Sequence, residues 1–354
     1  MKNKINFLLI FVPISFFIYY LKPESLWPFI TSALAIIPLA MLMNLTIDKI
    51  ATNLGSSWGG LLSVTFGNAT ELIISLFAIS DGLLGVVKAA ITGTILMNLL
   101  LILGLSFFVG GIKKRTQSFD RVMAITNSAM LMLAVIGMLI PAIFFFGSSN
   151  IKDLVLGRLS LGVGLVLFLT YLASLYFTLF IHEEEKDSVG QDEEPSSEQN
   201  DQSISMKKQI TYLFIITTSI AFEANILVES ISTITENFQV SPVFIGIIIL
   251  PIIANVAENY TAIRMAWMDK INLSINIAIG SSIQVALLVV PLLIFISHII
   301  GQPMNVLFNI LEISSIVMAV LAINVVYLQG KSNWFEGVQL VAAYLIIAIA
   351  FYFA

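Results

Sequence analysis

The chain has 354 residues, of which 58% are hydrophobic and 11% charged, with a mean hydropathy of +0.96 and a formal net charge of −5. A soluble domain is about a quarter charged, so this composition leaves too little polar surface for water and selects a membrane as solvent. Zero cysteines and only two histidines, His182 and His298, exclude disulfide frameworks, thiol catalysis and His-based metal centres, and no basic patch invites nucleic acid.

Taken in chain order, the apolar runs are long and continuous, which predicts membrane helices rather than barrel strands. After Lys2 and Lys4 the first run, Ile5 to Leu21, ends in Tyr19-Tyr20-Leu21-Lys22-Pro23. It lacks the small residues of a cleavage site and reads as an uncleaved first span. Breaks follow at Lys22–Glu24, Asn53–Ser57, Ser80–Gly85, Lys113–Ser118 and Gly147–Asp153. Others fall at His182–Lys208, Glu236–Val240, Met268–Lys270, Gly301–Met304 and Gln329–Asn333. Together they predict an all-α polytopic membrane protein of about eleven transmembrane helices. With the N-terminus inside, thirteen of the 17 Lys and Arg lie on inner segments, against Lys22, Lys88, Lys152 and Arg158 outside. That bias places the N-terminus in the cytoplasm and the C-terminus outside.

Residues 182–208 differ in composition: HEEEKDSVGQDEEPSSEQND, then SISMKK. They read as a solvated acidic cytoplasmic loop, with a sharper reading as a segment that concentrates cations at an entrance. The loop divides the chain into an extra N-terminal helix (1–25), a first five-helix repeat (26–181), the loop itself (182–208) and a second five-helix repeat (209–354).

The two repeats correspond at one offset. Asn68 and Asn255, Glu71 and Glu258, Gly93 and Gly280, and Thr94 and Ser281 are all 187 positions apart. Five spans is an odd number, so the second copy enters the membrane from the opposite side, giving the inverted repeat of alternating-access transporters. Asn and Glu three apart share a helix face, and Ser75 extends that of Glu71. Thr94 with Asn98, and Ser281 with Gln284, add polar groups at helical spacing. Gly67, Gly93 and Gly280 are expected to permit close helix approach, and Pro251 to weaken the eighth span and free backbone carbonyls.

An ionised carboxylate in hydrocarbon is costly, which makes an intramembrane Glu a functional candidate. Glu71 has no Lys or Arg in its segment and Glu258 only Arg264, six residues on toward the segment's end, so the pair needs a divalent cation or two protons to neutralise it. Ca²⁺ takes about 6–8 oxygen ligands, and this donor set is all hard oxygen. Burial and mutual repulsion favour the protonated carboxyls, bound Ca²⁺ the ionised ones, so metal and protons compete for one site. Asn98 and Gln284 divide evenly between ligand and helix tie. Glu223, Glu229 and Glu312 divide between pathway groups and partners of Asn and Ser, while Asp48 and His298 read as interfacial.

GNATELIISLFAISDGLLGVVKAAITGTILMNLLLILG resembles the first α-repeat of calcium/proton exchangers in the calcium/cation antiporter superfamily, and IANVAENYTAIRMAWMDKINLSINIAIGSSIQVALLVVPLL the second. The stretch Gly330 to Gly337 and the acidic loop resemble bacterial members. The resemblance covers nearly the whole chain. It implies a Ca²⁺/H⁺ antiporter with Ca²⁺ as transported substrate and no cofactor, Glu71 and Glu258 as the Ca²⁺ and proton sites, and Asn68, Asn255, Asn98, Gln284, Thr94 and Ser281 around them. It also implies a bacterial plasma-membrane exporter, surrounded by lipid and assembled as a trimer. Two departures bear on ion preference and pH dependence: Ala254 stands where the family has Gly, and Asn259 where it has His. The sodium/calcium branch matches less well, since its Thr-Ser-x-Pro-Glu pattern is absent. Na⁺ coupling, Mn²⁺ transport, a channel and a membrane enzyme are the competing readings; the last leaves the repeat without a purpose.

Overall fold

The computed structural model describes residues 6–147, 153–178 and 205–354. The acidic segment 182–204 lies outside them, and with it the expectations about that loop. A 3-10 turn, Asn6–Ile10, leads into α1 (Phe11–Leu21). Next come α2 (Trp27–Leu54), α3 (Ser56–Phe66), α4 (Ala69–Ser80), α5 (Leu84–Lys113), α6 (Arg121–Gly147) and α7 (Asp153–Tyr176). The second half holds α8 (Met206–Phe238), α9 (Pro242–Ala254), α10 (Val256–Trp267), α11 (Ile271–Ile300), α12 (Ile310–Gln329) and α13 (Trp334–Phe353).

Among the described residues eight helices are long and apolar enough to cross a membrane, and α9 with α10 make a ninth if taken as one span bent by 66°. A count of eleven requires that α1 and the pair α3 and α4 also be taken as spans. The burial pattern is that of a body solvated by lipid. Val122, Phe214 and Ile346 stand 76%, 72% and 68% exposed, whereas Asn68, Thr94, Asn98, Asn255 and Ser281 are at most 5% exposed. Water would penalise the first set; hydrocarbon penalises unpaired polar groups instead.

The halves match element by element. α4 and α10 are offset by 187 residues at both ends, and α5 and α11 by the same amount at their starts. α5 and α11 each widen into a π turn, at Met97–Ile102 and Val285–Val289. Such a turn inside a helix often marks a functional stretch. α5 crosses α9 very closely: a Cβ on Gly93 would lie 2.0 Å from the Ile247 carbonyl oxygen, and one on Gly246 2.6 Å from the Ala89 Cβ. Gly280 behaves otherwise. It has nothing within 4 Å of a Cβ, so the close approach expected there is absent.

Two features outside the helices were read as plain breaks from sequence. Thr116–Ser118 (β1) and Lys331–Asn333 (β2) pair antiparallel, with Gln117 opposite Ser332. The Gly330–Gly337 stretch explains itself locally. Gly330 takes the left-handed conformation that ends α12, and Asn333 and Glu336 form a capping box that starts α13. Gly337 lets α13 lie against α5, since a Cβ there would meet Phe108 N at 2.4 Å. Glu312 also serves a capping box, accepting from Asn309 N at 2.8 Å, while Glu229 pairs with Asn225 and Tyr19. The partner reading of those two glutamates therefore holds.

Candidate metal and proton site

The sequence predicts Asn and Glu on one face of a span in each repeat, with Pro251 weakening the second of the two. In the structure the span breaks at the asparagine in both repeats. Asn68 is the residue before α4 and Asn255 the residue before α10, which puts Glu71 and Glu258 in the first turn of their helices. The Asn-x-x-Glu spacing is that of a capping box, the signal that would have disclosed the break. Neither Asn makes the cap bond, however; both side chains turn toward the opposite repeat. The N-terminal dipole of each half-helix favours a carboxylate there, and the C-terminal ends of α3 and α9 bring backbone carbonyls to the same breaks. Pro251, expected to free backbone carbonyls, has its own oxygen engaged instead, accepting from Asn255 N at 3.0 Å and Nδ2 at 3.1 Å.

The contacts cross between repeats with approximate twofold symmetry. Asn255 Nδ2 donates to Glu71 Oε1 at 2.5 Å and lies 3.4 Å from Thr94 Oγ1. Asn68 Nδ2 donates to Gln284 Oε1 at 2.7 Å, and Ser281 Oγ lies 3.4 Å from Asn68 Oδ1. Within each repeat the hydroxyl stands by its own glutamate: Thr94 Oγ1 donates to Glu71 Oε1 at 3.0 Å, and Ser281 lines the same cavity as Glu258. Both carboxyls are half-buried, and the second oxygen of each, Oε2, is buried without a partner among the described residues. The only ion pair among those residues, Lys114 with Asp269, lies elsewhere.

Seven of the eight expected residues therefore gather in two clusters: Glu71 with Thr94 and Asn255, and Asn68 with Gln284 and Ser281, beside which Glu258 lies. Asn98 does not: it is 2% exposed and its Nδ2 has no partner, but no bond joins it to either carboxyl. Gly67 plays a part other than helix packing. A Cβ there would sit 3.5 Å from Gln284 Oε1 and 3.6 Å from Glu258 Oε1, so its bareness leaves room beside the second carboxyl. Ala254, its counterpart, puts a methyl into the lining beside Glu71. Asn259, in the family's His position, turns its amide to Met97 Sδ at 3.6 Å.

The two carboxyls face different spaces. Glu258 lines a cavity of about 1120 Å³, with Gly280, Ser281 and Gln284, that reaches Asp48, Lys49 and Arg264. Asp48, expected at the interface, is exposed and lines this cavity together with Lys49. Glu71, with Ser75 and Thr94, lines a pocket of only about 20 Å³, room for about one water.

The chain as a whole has parallels among known proteins. The sequence profile of the sodium/calcium exchanger protein family matches residues 24–180 and 208–353. The chain belongs to that family. Among its exchanger relatives, the Ca²⁺/H⁺ antiporter of Synechocystis sp. is 38% identical, covering 99% of this chain and 98% of the relative. The Ca²⁺/H⁺ antiporter ChaA of Bacillus subtilis is 39% identical over 99% of both chains. The solved structure of native YfkE superposes with a TM-score of 0.84 at 35% identity, covering 100% of each chain.

Proposed function

We propose that this protein is a secondary active antiporter that exchanges Ca²⁺ for H⁺ by alternating access and exports Ca²⁺ from the cytoplasm. The observation that carries the reading is the pair Glu71 and Glu258. They stand on symmetry-related half-helices, each with an unpartnered buried oxygen, among neutral amides and hydroxyls, and neither takes part in an ion pair among the described residues. Ca²⁺ needs about 6–8 oxygens. The two carboxylates, Asn68, Asn255, Gln284, Thr94, Ser281 and the carbonyls at the helix breaks supply that chemistry, with Asn98 in an outer rank. The full-length antiporter relatives support Ca²⁺ and H⁺ as the ions.

Coupling follows from charge. Two carboxylates in a low-dielectric site are tolerable with Ca²⁺ between them or with a proton on each, and costly when bare. Only loaded states pass between the two conformations, so each Ca²⁺ that leaves is replaced by protons. On this reading the cavity beside Glu258 opens to the cytoplasm, because the basic residues at its mouth, Lys49 and Arg264, belong to the positive-inside set. The same rule places the N-terminus inside and, with eleven spans, the C-terminus outside. The chain then divides into an extra helix and two inverted five-helix repeats, in the plasma membrane, with lipid and further copies of itself (a trimer) as neighbours. It needs no resident cofactor and performs no covalent chemistry.

The test is Ca²⁺-driven proton movement in sealed proteoliposomes, comparing the parent with Glu71→Gln and Glu258→Gln. Proton flux that requires Ca²⁺ and vanishes in both variants is expected. Unchanged flux in the variants would overturn the site, and Ca²⁺ flux indifferent to the proton gradient would overturn the coupling.

A further inference from the structure

The N-terminal helix α1 contributes none of the transport ligands. It packs on α2 and α8 through an apolar seam in which Val12 meets the small cluster of Leu39, Met43, Ile47 and Ile220. Ser15 is the only fully buried residue of α1, at 0% exposure. Its Oγ lies 2.7 Å from Oε1 of Glu223 on α8, a side chain only 1% exposed, and 2.9 Å from the Val12 carbonyl oxygen.

The hydrogen inventory decides what this pair is. A serine hydroxyl owns one proton and cannot donate to both acceptors. If Glu223 is ionised, Ser15 must give that proton to the carboxylate, and Oε2, which is buried and has no partner among the described residues, is left with charge and no donor. If Glu223 is the acid, its own proton goes to Ser15 Oγ, whose hydrogen goes to the Val12 oxygen, and the chain of donors closes. No cation offers an alternative. The charged or titratable groups on the packed elements are Tyr19 and Tyr20 on α1, Lys207, Lys208, Tyr212, Glu229 and Glu236 elsewhere on α8, Asp48 and Lys49 at the far end of α2, and Glu71 on α4, which is bonded to Thr94 and Asn255; the two lysines of α8 stand about four helical turns from Glu223. A bare buried carboxylate costs several kcal/mol, and the acid does not.

We propose that Glu223 and Ser15 form a proton-binding site separate from the transport carboxyls, a latch that holds α1 against α8 only while Glu223 carries its proton. Ionisation requires the carboxyl to reach water, which the seam denies it, so losing the proton and releasing α1 are one event. Because α8 also packs on α2 and on α4, the helix that bears Glu71, the latch ties the proton load to the body that surrounds the site. The inference is independent of whether Glu71 and Glu258 carry Ca²⁺.

The chain has no native cysteine, and Phe16 and Phe222 have ring centroids 5.6 Å apart across the same seam. Disulfide formation in the double variant F16C/F222C, reconstituted in liposomes, therefore reports docking of α1. One-proton linkage lowers the docked-to-released ratio about tenfold for each pH unit over the range where the released carboxyl ionises. Cross-linking is expected to fall as pH rises, against the normal acceleration of thiol oxidation, and in E223Q, which mimics the acid, to rise with pH. A parent yield that climbs with pH overturns the latch even without the variant, as does an E223Q yield that falls in parallel with the parent's.

Discussion

The two repeats carry one pattern in two surroundings, and the contrast is sharpest at a pair of glycines. Gly93 on α5 is pressed against the backbone of α9, with the Ile247 oxygen where a Cβ would stand; Gly280, at the same place on α11, faces open space. Gly59 and Gly246, again 187 apart, complete the comparison. Gly246 packs on α5, whereas Gly59 packs on α2, where a Cβ would lie 2.2 Å from the Ala51 oxygen. The half-helix of the second repeat is folded down over its carboxyl partner, and that of the first is drawn aside toward α2. Hence Glu258 opens on a large cavity and Glu71 on a pocket of one water. Equal sequences in unequal environments are what a two-state carrier needs, because the second state is obtained by exchanging the environments.

The strongest way to break this comparison is chemical access. A water-soluble thiol reagent should modify Ser281→Cys within the cavity and leave Thr94→Cys protected, although the two sites are equivalent in sequence. Equal labelling would mean that the asymmetry does not persist in the membrane.

Alanine at each glycine sharpens it next. Gly93→Ala forces a methyl into backbone and should cost about 1–3 kcal/mol by overpacking. Gly280→Ala meets nothing and replaces a helical glycine, so it should be neutral or stabilising by up to about 1 kcal/mol. Thermal unfolding of the two purified variants measures the difference in sign. Gly280→Ala should nevertheless slow exchange in proteoliposomes, because α3 must close on α11 in the other state as α9 closes on α5 in this one.

A smaller effect distinguishes the turns that end α4 and α10. Asp269 is held below the usual carboxylate range by Lys114 and then Gln117, while Asp81 is pushed up, by partial burial and then by Glu229. The signs are opposite. The contribution of Asp269 is complete above its unfolded value, about 3.9, and disappears as pH falls through its lower folded value; that of Asp81 moves the other way. Lys114→Met should therefore lower stability at neutral pH slightly and flatten its loss on acidification, read by melting the purified protein across that range.

Much of this protein was legible in its sequence, for particular physical reasons. Hydrocarbon tolerates only helices with their backbone paired internally, so apolar runs of sufficient length declare the fold class. A carboxyl that recurs in those runs at a fixed offset, with the same amide three residues before it, declares a repeat and a site. Glu71, Glu258 and their hydroxyl and amide companions are expected together this way and lie near one another in the structure, with Asn98 the exception, since spacing along a helix cannot say whether a buried amide turns toward its neighbours or away from them. What only the tertiary structure decided depends on the relation between helices: the crossing of each Asn to the other repeat, the β1–β2 pairing of two breaks 215 positions apart, the contact between Ser15 and Glu223, and which of two equivalent glycines is covered. Local residue types set what each segment prefers, but a twofold pattern is compatible with either half being open, and only packing between segments distant in sequence selects one.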